Sequence, residues 1–109
     1  MLVADNERYT IYDLHLNGLT VSLTELKPAQ ETRGHSHIGA SEVHFFIDGR
    51  GKMKIDKQEY NVEKGSVILV PKGEFHKVIN SDKKKLVFVT VFEGIGHLKN
   101  TIINLSFCF

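Results

Sequence analysis

The sequence predicts an all-β chain closed into a jelly-roll barrel. Three observations carry that expectation. Short β-rich runs are separated by turn residues about every ten positions, the spacing of a sandwich or barrel. No window shows the 3.6-residue period of a helix. Several runs, among them SVILV and LVFVTVF, are apolar almost throughout, as in strands covered on both faces, which favours closure over an open sheet.

From the N-terminus, TIYDLHL and LTVSLTEL flank Asn17-Gly18. Both central positions of such a tight turn need positive φ, so the pair reads as a hairpin. In its second run Leu19, Val21 and Leu23 alternate with Thr20, Ser22 and Thr24, the period of a half-buried strand. VHFFI (43–47) is an apolar, aromatic strand that ends at DGRG. KMKID (52–56) puts Met53 and Ile55 on one face and Lys52, Lys54 and Asp56 on the other. EYNV (59–62) follows, ended by EKG. SVILV (66–70) stops at Pro71-Lys72-Gly73, FHKVIN (75–80) runs to the polar turn SDKKK, and LVFVTVF (86–92) is another buried run. TIINLSFCF sets Ile103, Leu105, Phe107 and Phe109 on one face. About nine short strands in one domain, 1–109, result.

The composition is that of an ordinary globular protein, with 41% hydrophobic and 25% charged residues and a formal net charge of +1. A near-neutral chain without a basic stripe is not expected to bind nucleic acid. No apolar run approaches the length of a membrane span. MLVADNERYT turns polar after four residues, unlike a secretory signal. Cys108 has no second cysteine to pair with, so nothing requires an oxidising compartment, and a cytoplasmic protein is expected.

The chemistry concentrates in GHSHIGASEVHFFIDG, residues 34–49. Residues two apart on a strand project to the same side, so His35 and His37 point together. IGAS supplies a turn, and Glu42 then starts the next strand facing the same interior. Two imidazoles and a carboxylate suit a divalent ion, although His-x-His alone is a weak signal. The second stretch, GSVILVPKGEFHKVIN, turns at Pro71-Lys72-Gly73 and returns His76 towards the same interior. Asn80 keeps the parity of His76.

These two stretches resemble the motifs of the cupin superfamily. The first cupin motif, His-x-His followed by a glutamate and a closing glycine, reads His35, His37, Glu42 and Gly49, with four residues between His37 and Glu42. The second reads Gly65, Pro71, Gly73, His76 and Asn80 without a mismatch. The opening glycine of the first motif falls at Ala29, a departure at a turn and not at a ligand. Motif one then covers about 29–49 and motif two 65–80, in a single domain. The resemblance implies a small double-stranded β-helix barrel holding one divalent metal, Fe, Mn, Zn or Ni, on His35, His37, Glu42 and His76.

Other residues keep open readings. His44 shares the parity of Glu42 and is a candidate general acid or base, a hydrogen-bond partner behind the ligands, an alternative ligand, or a lining residue. Arg33 precedes the cluster and is placed to reach an anionic ligand at the barrel mouth. Lys72 and Lys77 are expected to face outwards, and the lysines at 83–85 to form a solvated turn. His15 and His97 are expected to be strand or loop residues without a role.

ETRGHSHIGASEVHFFIDGRGKM looks like small archaeal and bacterial cupins of the sugar-phosphate isomerase-like kind, in a chain much shorter than authentic cupin-type phosphoglucose isomerases. Three functions follow from the resemblance. One is a metal-dependent isomerase or epimerase on a small polar or carbohydrate-like molecule, with His44 as acid or base. Another is an Fe- or Mn-dependent dioxygenase or oxidase. The third is a non-catalytic module binding a metal and a small ligand. The apolar faces of the N-terminal hairpin and the C-terminal strand exceed what one small barrel needs, so a homodimer is expected.

Overall fold

The computed structural model describes residues 1–36 and 39–93. Among them are ten strands and no helix: β1 (Leu2–Asp5), β2 (Tyr9–Leu16), β3 (Leu19–Leu26), β4 (His35–Ser36), β5 (Glu42–Asp48), β6 (Arg50–Ile55), β7 (Gln58–Glu63), β8 (Val67–Val70), β9 (Phe75–Ile79) and β10 (Leu86–Glu93). All pairings are antiparallel. They build a six-stranded sheet ordered β1-β2-β3-β10-β5-β8 and a four-stranded sheet ordered β4-β9-β6-β7. The core lies between them: Ile11, Leu26, Phe46 and Phe88 from the first sheet meet Met53, Val62 and Val78 from the second. The all-β jelly-roll expectation holds. β1 and the short β4 are additions to the strands read from the sequence, and TIINLSFCF, with Cys108, lies outside the described residues.

The β2–β3 hairpin turns at Asn17 (φ +46) and Gly18 (φ +82), the pair of positive angles expected of Asn-Gly. Gly49, which closes the first motif, has φ +87. A Cβ there would fall against the Lys85 carbonyl oxygen, so the β5–β6 turn approaches the start of β10 as only glycine permits. Asn80, the last residue of the second motif, is 1% exposed. Its Nδ2 donates to the carbonyls of Leu26 (3.0 Å), Lys27 (3.2 Å) and Lys84 (2.8 Å), and its Oδ1 accepts from Asp82 N at 3.0 Å. It fastens the end of β3 to the 80–84 turn.

The period of β3 is as read, and its polarity is the opposite of the usual one. Thr20, Ser22 and Thr24 are the buried face, at 0 to 1% exposure, while Leu19, Val21 and Leu23 look outwards. β10 has its alternate valines Val87, Val89 and Val91 on the same outer face. β8 likewise is not covered on both faces within one chain: Val70 is buried, and Val67 and Leu69 are each 61% exposed. The outside of the six-stranded sheet is therefore aliphatic, and part of its inside is polar.

Candidate metal centre

Positioning begins with residues 31–36, which run along β9. Glu31 bridges to Ile79, Thr32 N donates to the Val78 carbonyl, and Thr32 Oγ1 accepts from Val78 N at 2.9 Å. That register sets His35 directly opposite His76, where side chains of an antiparallel pair share one side of the sheet. Their ring centroids are 4.3 Å apart. Gly34 (φ +78) makes the approach possible, because a Cβ there would stand 2.6 Å from Cζ of Phe75. Phe75 lies across the glycine and holds β4 against β9.

The carboxylate comes from the other sheet. Glu42 opens β5 between Phe92 of β10 and Val70 of β8 and is 1% exposed. Its Oε1 stands 3.3 Å from His76 Nε2, and its Oε2 stands 3.4 Å from His35 Nε2. Two ligands each about 2.1 Å from a shared ion lie about 3.0 to 3.4 Å apart in octahedral or tetrahedral sets. One nitrogen or oxygen from each of His35, Glu42 and His76 falls within 4.8 Å of the others.

The tautomer of His76 sharpens the chemistry. Its Nδ1 lies 3.2 Å from the Glu74 carbonyl oxygen, which can only accept, so Nδ1 carries the proton. In the neutral ring Nε2 is then a lone pair. That buried atom makes no hydrogen bond among the described residues and faces a carboxylate oxygen. A neutral imidazole nitrogen set against a carboxylate oxygen in a buried site is satisfied by a shared cation, a proton or a metal ion, and a carbonyl behind the far nitrogen is the usual support of a metal-binding imidazole. The donor set therefore fits a divalent ion.

His44 lies deeper. It is 1% exposed, with its Nε2 3.8 Å from Glu42 Oε1. Its ring lies against Phe46 (6.4 Å, 26°) and Phe88 (5.6 Å, 27°), which touch each other at 5.2 Å and form an apolar floor behind the carboxylate. In the same inward row Thr90 pairs with His44, and Ser22 pairs with Thr90. Thr90 Oγ1 is buried without a hydrogen bond among the described residues.

Of the residues singled out in the sequence, His35, Glu42, His44 and His76 come together. His37 and His97 lie outside the described residues. Arg33 is exposed beside Gly34. Lys77 is paired with Glu31 at 2.8 Å, and exposed His15 meets Thr20 Oγ1 at 3.1 Å. The sequence reading missed the Glu74 carbonyl, a backbone atom with no side-chain signature, and the Phe75–Gly34 contact, whose residues are distant in the chain.

The chain matches the family model of the Cupin domain over residues 22–92. It is 33% identical over 72 residues to an uncharacterized protein of Methanocaldococcus jannaschii, covering 62% of this chain and 58% of that one. It is 31% identical over 84 residues to a glucose-6-phosphate isomerase of Thermococcus litoralis, covering 70% of this chain and 44% of the relative. The chain thus spans about half the length of the curated relatives it matches. A structure of Bacillus subtilis oxalate decarboxylase, studied for its Mn(II) centers, superposes with a TM-score of 0.79 at 21% identity, over 86% of this chain and 28% of that one. No helix among the described residues is long and apolar enough to cross a membrane.

Proposed function

The chain belongs to the cupin family, and from that premise we propose that it is a metal-dependent enzyme of the isomerase or epimerase type, acting on a small polar or carbohydrate-like substrate as a homodimer. The observation that supports this best is the approach of His76 Nε2 to Glu42 Oε1 at 3.3 Å in a buried site, with His35 beside both. His35, Glu42 and His76 would hold one divalent ion, with His37 as the fourth ligand in the motif. Bound there, the ion supplies a Lewis acid that polarises a substrate carbonyl or hydroxyl.

The remaining steps belong to the chain. His44, held by the two phenyl rings, takes or returns a proton at Nε2. The hydroxyl of Thr90, in the same row, binds a substrate hydroxyl or an ordered water, while Ser22 Oγ donates to Asp13 Oδ1 at 2.6 Å. Arg33 at the exposed end of the cluster meets an anionic substituent. The glucose-6-phosphate isomerase relative supports a sugar-type substrate.

The test restores metal to chelated full-length protein and follows aldose–ketose exchange of glucose 6-phosphate and related sugars. Metal-dependent exchange that falls by about 100-fold or more in His44→Ala supports the reading, since positioned acid–base groups contribute about that much. Full activity in His44→Ala removes the role of His44. Oxygen uptake with a substrate would make the protein an oxygenase instead. Metal binding with no turnover across the screen would make it a binding module.

A further inference from the structure

We infer that Thr32 is a positioning residue for the metal centre: its hydroxyl takes the place of its own carbonyl in the ladder with β9 and so sets the bulge that turns His35 inwards. The inference rests on the metal-dependent reading above and adds a residue outside the donor set.

The register on β9 changes within a few residues. Asn80 N donates to the Gln30 carbonyl at 2.8 Å and Thr32 N to the Val78 carbonyl at 2.9 Å, so Glu31 faces Ile79 and Thr32 faces Val78. Further along, His35 faces His76 and Ser36 faces Phe75. Between these two pairings the incoming chain has Arg33 and Gly34, where β9 has Lys77 alone. Two residues opposing one make a β-bulge.

The extra residue decides where His35 points. Thr32 and its partner Val78 are both buried, at 5% and 2% exposure. Unbroken alternation from Thr32 would place Gly34 inwards and send His35 outwards, opposite Phe75. With the bulge, the parity changes by one, and His35 meets His76 on the inner face with the rings 4.3 Å apart. The first histidine therefore reaches the site only when the bulge lies at 33–34.

Thr32 and Gly34 hold it there. In a regular closely spaced pair Val78 N would donate to the Thr32 carbonyl. It donates instead to Thr32 Oγ1 at 2.9 Å, so the carbonyl is released from the ladder where the chain enters the bulge. Gly34 supplies the left-handed angle, φ +78, and its missing Cβ leaves room for the Phe75 ring and for Cβ of Lys77. On the outer side Lys77 Nζ reaches Glu31 Oε1 at 2.8 Å, tying the residue opposite the bulge to the chain before it. Without the hydroxyl, the buried Val78 amide needs another acceptor. The nearest is the carbonyl of residue 32, and its return to the ladder restores the regular register that turns His35 out.

Valine matches threonine in shape and lacks the acceptor, whereas serine keeps it. The test compares chelated full-length wild type, Thr32→Val and Thr32→Ser by the nuclear Overhauser contact between the His35 and His76 rings, and then by isothermal titration with Zn(II). The contact is expected in wild type and Thr32→Ser and is expected to disappear in Thr32→Val. Zn(II) affinity is expected to fall at least about tenfold in Thr32→Val, the usual cost of losing a group behind a ligand, and to stay within about twofold in Thr32→Ser. Should Thr32→Val fail to fold, Thr32→Ala removes the acceptor with less bulk and carries the same expectation. A contact that survives in the folded valine or alanine variant overturns the inference, as does one lost equally in Thr32→Ser or missing from wild type. Wild type that shows the contact and takes up no Zn(II) defeats the metal reading, while the response of the contact to the substitutions still decides the role of Thr32.

Discussion

Ala29 takes φ +60 where the first cupin motif has its opening glycine. The left-handed region crowds a Cβ against the neighbouring carbonyl, at a cost of about 1 kcal/mol for alanine. Ala29→Gly is therefore expected to raise the unfolding free energy by about 1 kcal/mol, checked by urea denaturation. Asn80 predicts the reverse. Truncating its buried amide leaves the carbonyls of Leu26, Lys27 and Lys84 and the Asp82 amide without their partner, and Asn80→Ala is expected to cost about 2 to 4 kcal/mol in the same measurement. At this scale the sequence was informative wherever a side chain and its spacing carried the signal, as for His35, Glu42 and His76. It was silent where the partner is backbone: the Glu74 carbonyl that fixes the His76 tautomer has no residue type to announce it.

Among the strands, alternation revealed period but not direction. Leu19, Val21 and Leu23 alternate with Thr20, Ser22 and Thr24 whichever set is buried, and a hydrophobic pattern read alone puts the aliphatics in the core. Pairing with β10 decides otherwise. Thr24 stands beside Phe88, and Ser22 beside Thr90, all facing inwards. The apolar runs of β8 and β10 misled in a related way, because continuous hydrophobicity reads as cover on both faces, and the structure sets Val67 and Leu69, with Val87, Val89 and Val91, on the outer face. The inverted face has a measurable consequence. Thr24 Oγ1 is buried without a hydrogen bond among the described residues, and an unmet buried hydroxyl costs about 1 to 3 kcal/mol. Thr24→Val, nearly the same shape, is expected to stabilise the protein by about 1 kcal/mol in thermal or urea unfolding. A loss of similar size would mean that the hydroxyl has a partner it needs.

For the whole molecule, the candidate centre joins the two sheets. Glu42 and His44 come from the six-stranded sheet, His35 and His76 from the four-stranded one, so an ion shared by them would cross-link the barrel near its mouth and stabilise the fold by linkage. The jelly-roll class was readable from turn spacing and run length, and the second cupin motif from an unbroken match. The convergence of three donors within 4.8 Å of one another was not, since it depends on the register of β4 on β9 and on the facing of two separate sheets. Isothermal titration of chelated wild type and His76→Ala with Mn(II) or Zn(II) tests the central claim most directly. Wild type is expected to take up one ion per chain, and His76→Ala, whose barrel stays folded, to bind it at least about 100-fold more weakly. Wild type that takes up no ion, or a folded His76→Ala that binds as tightly as wild type, would contradict it.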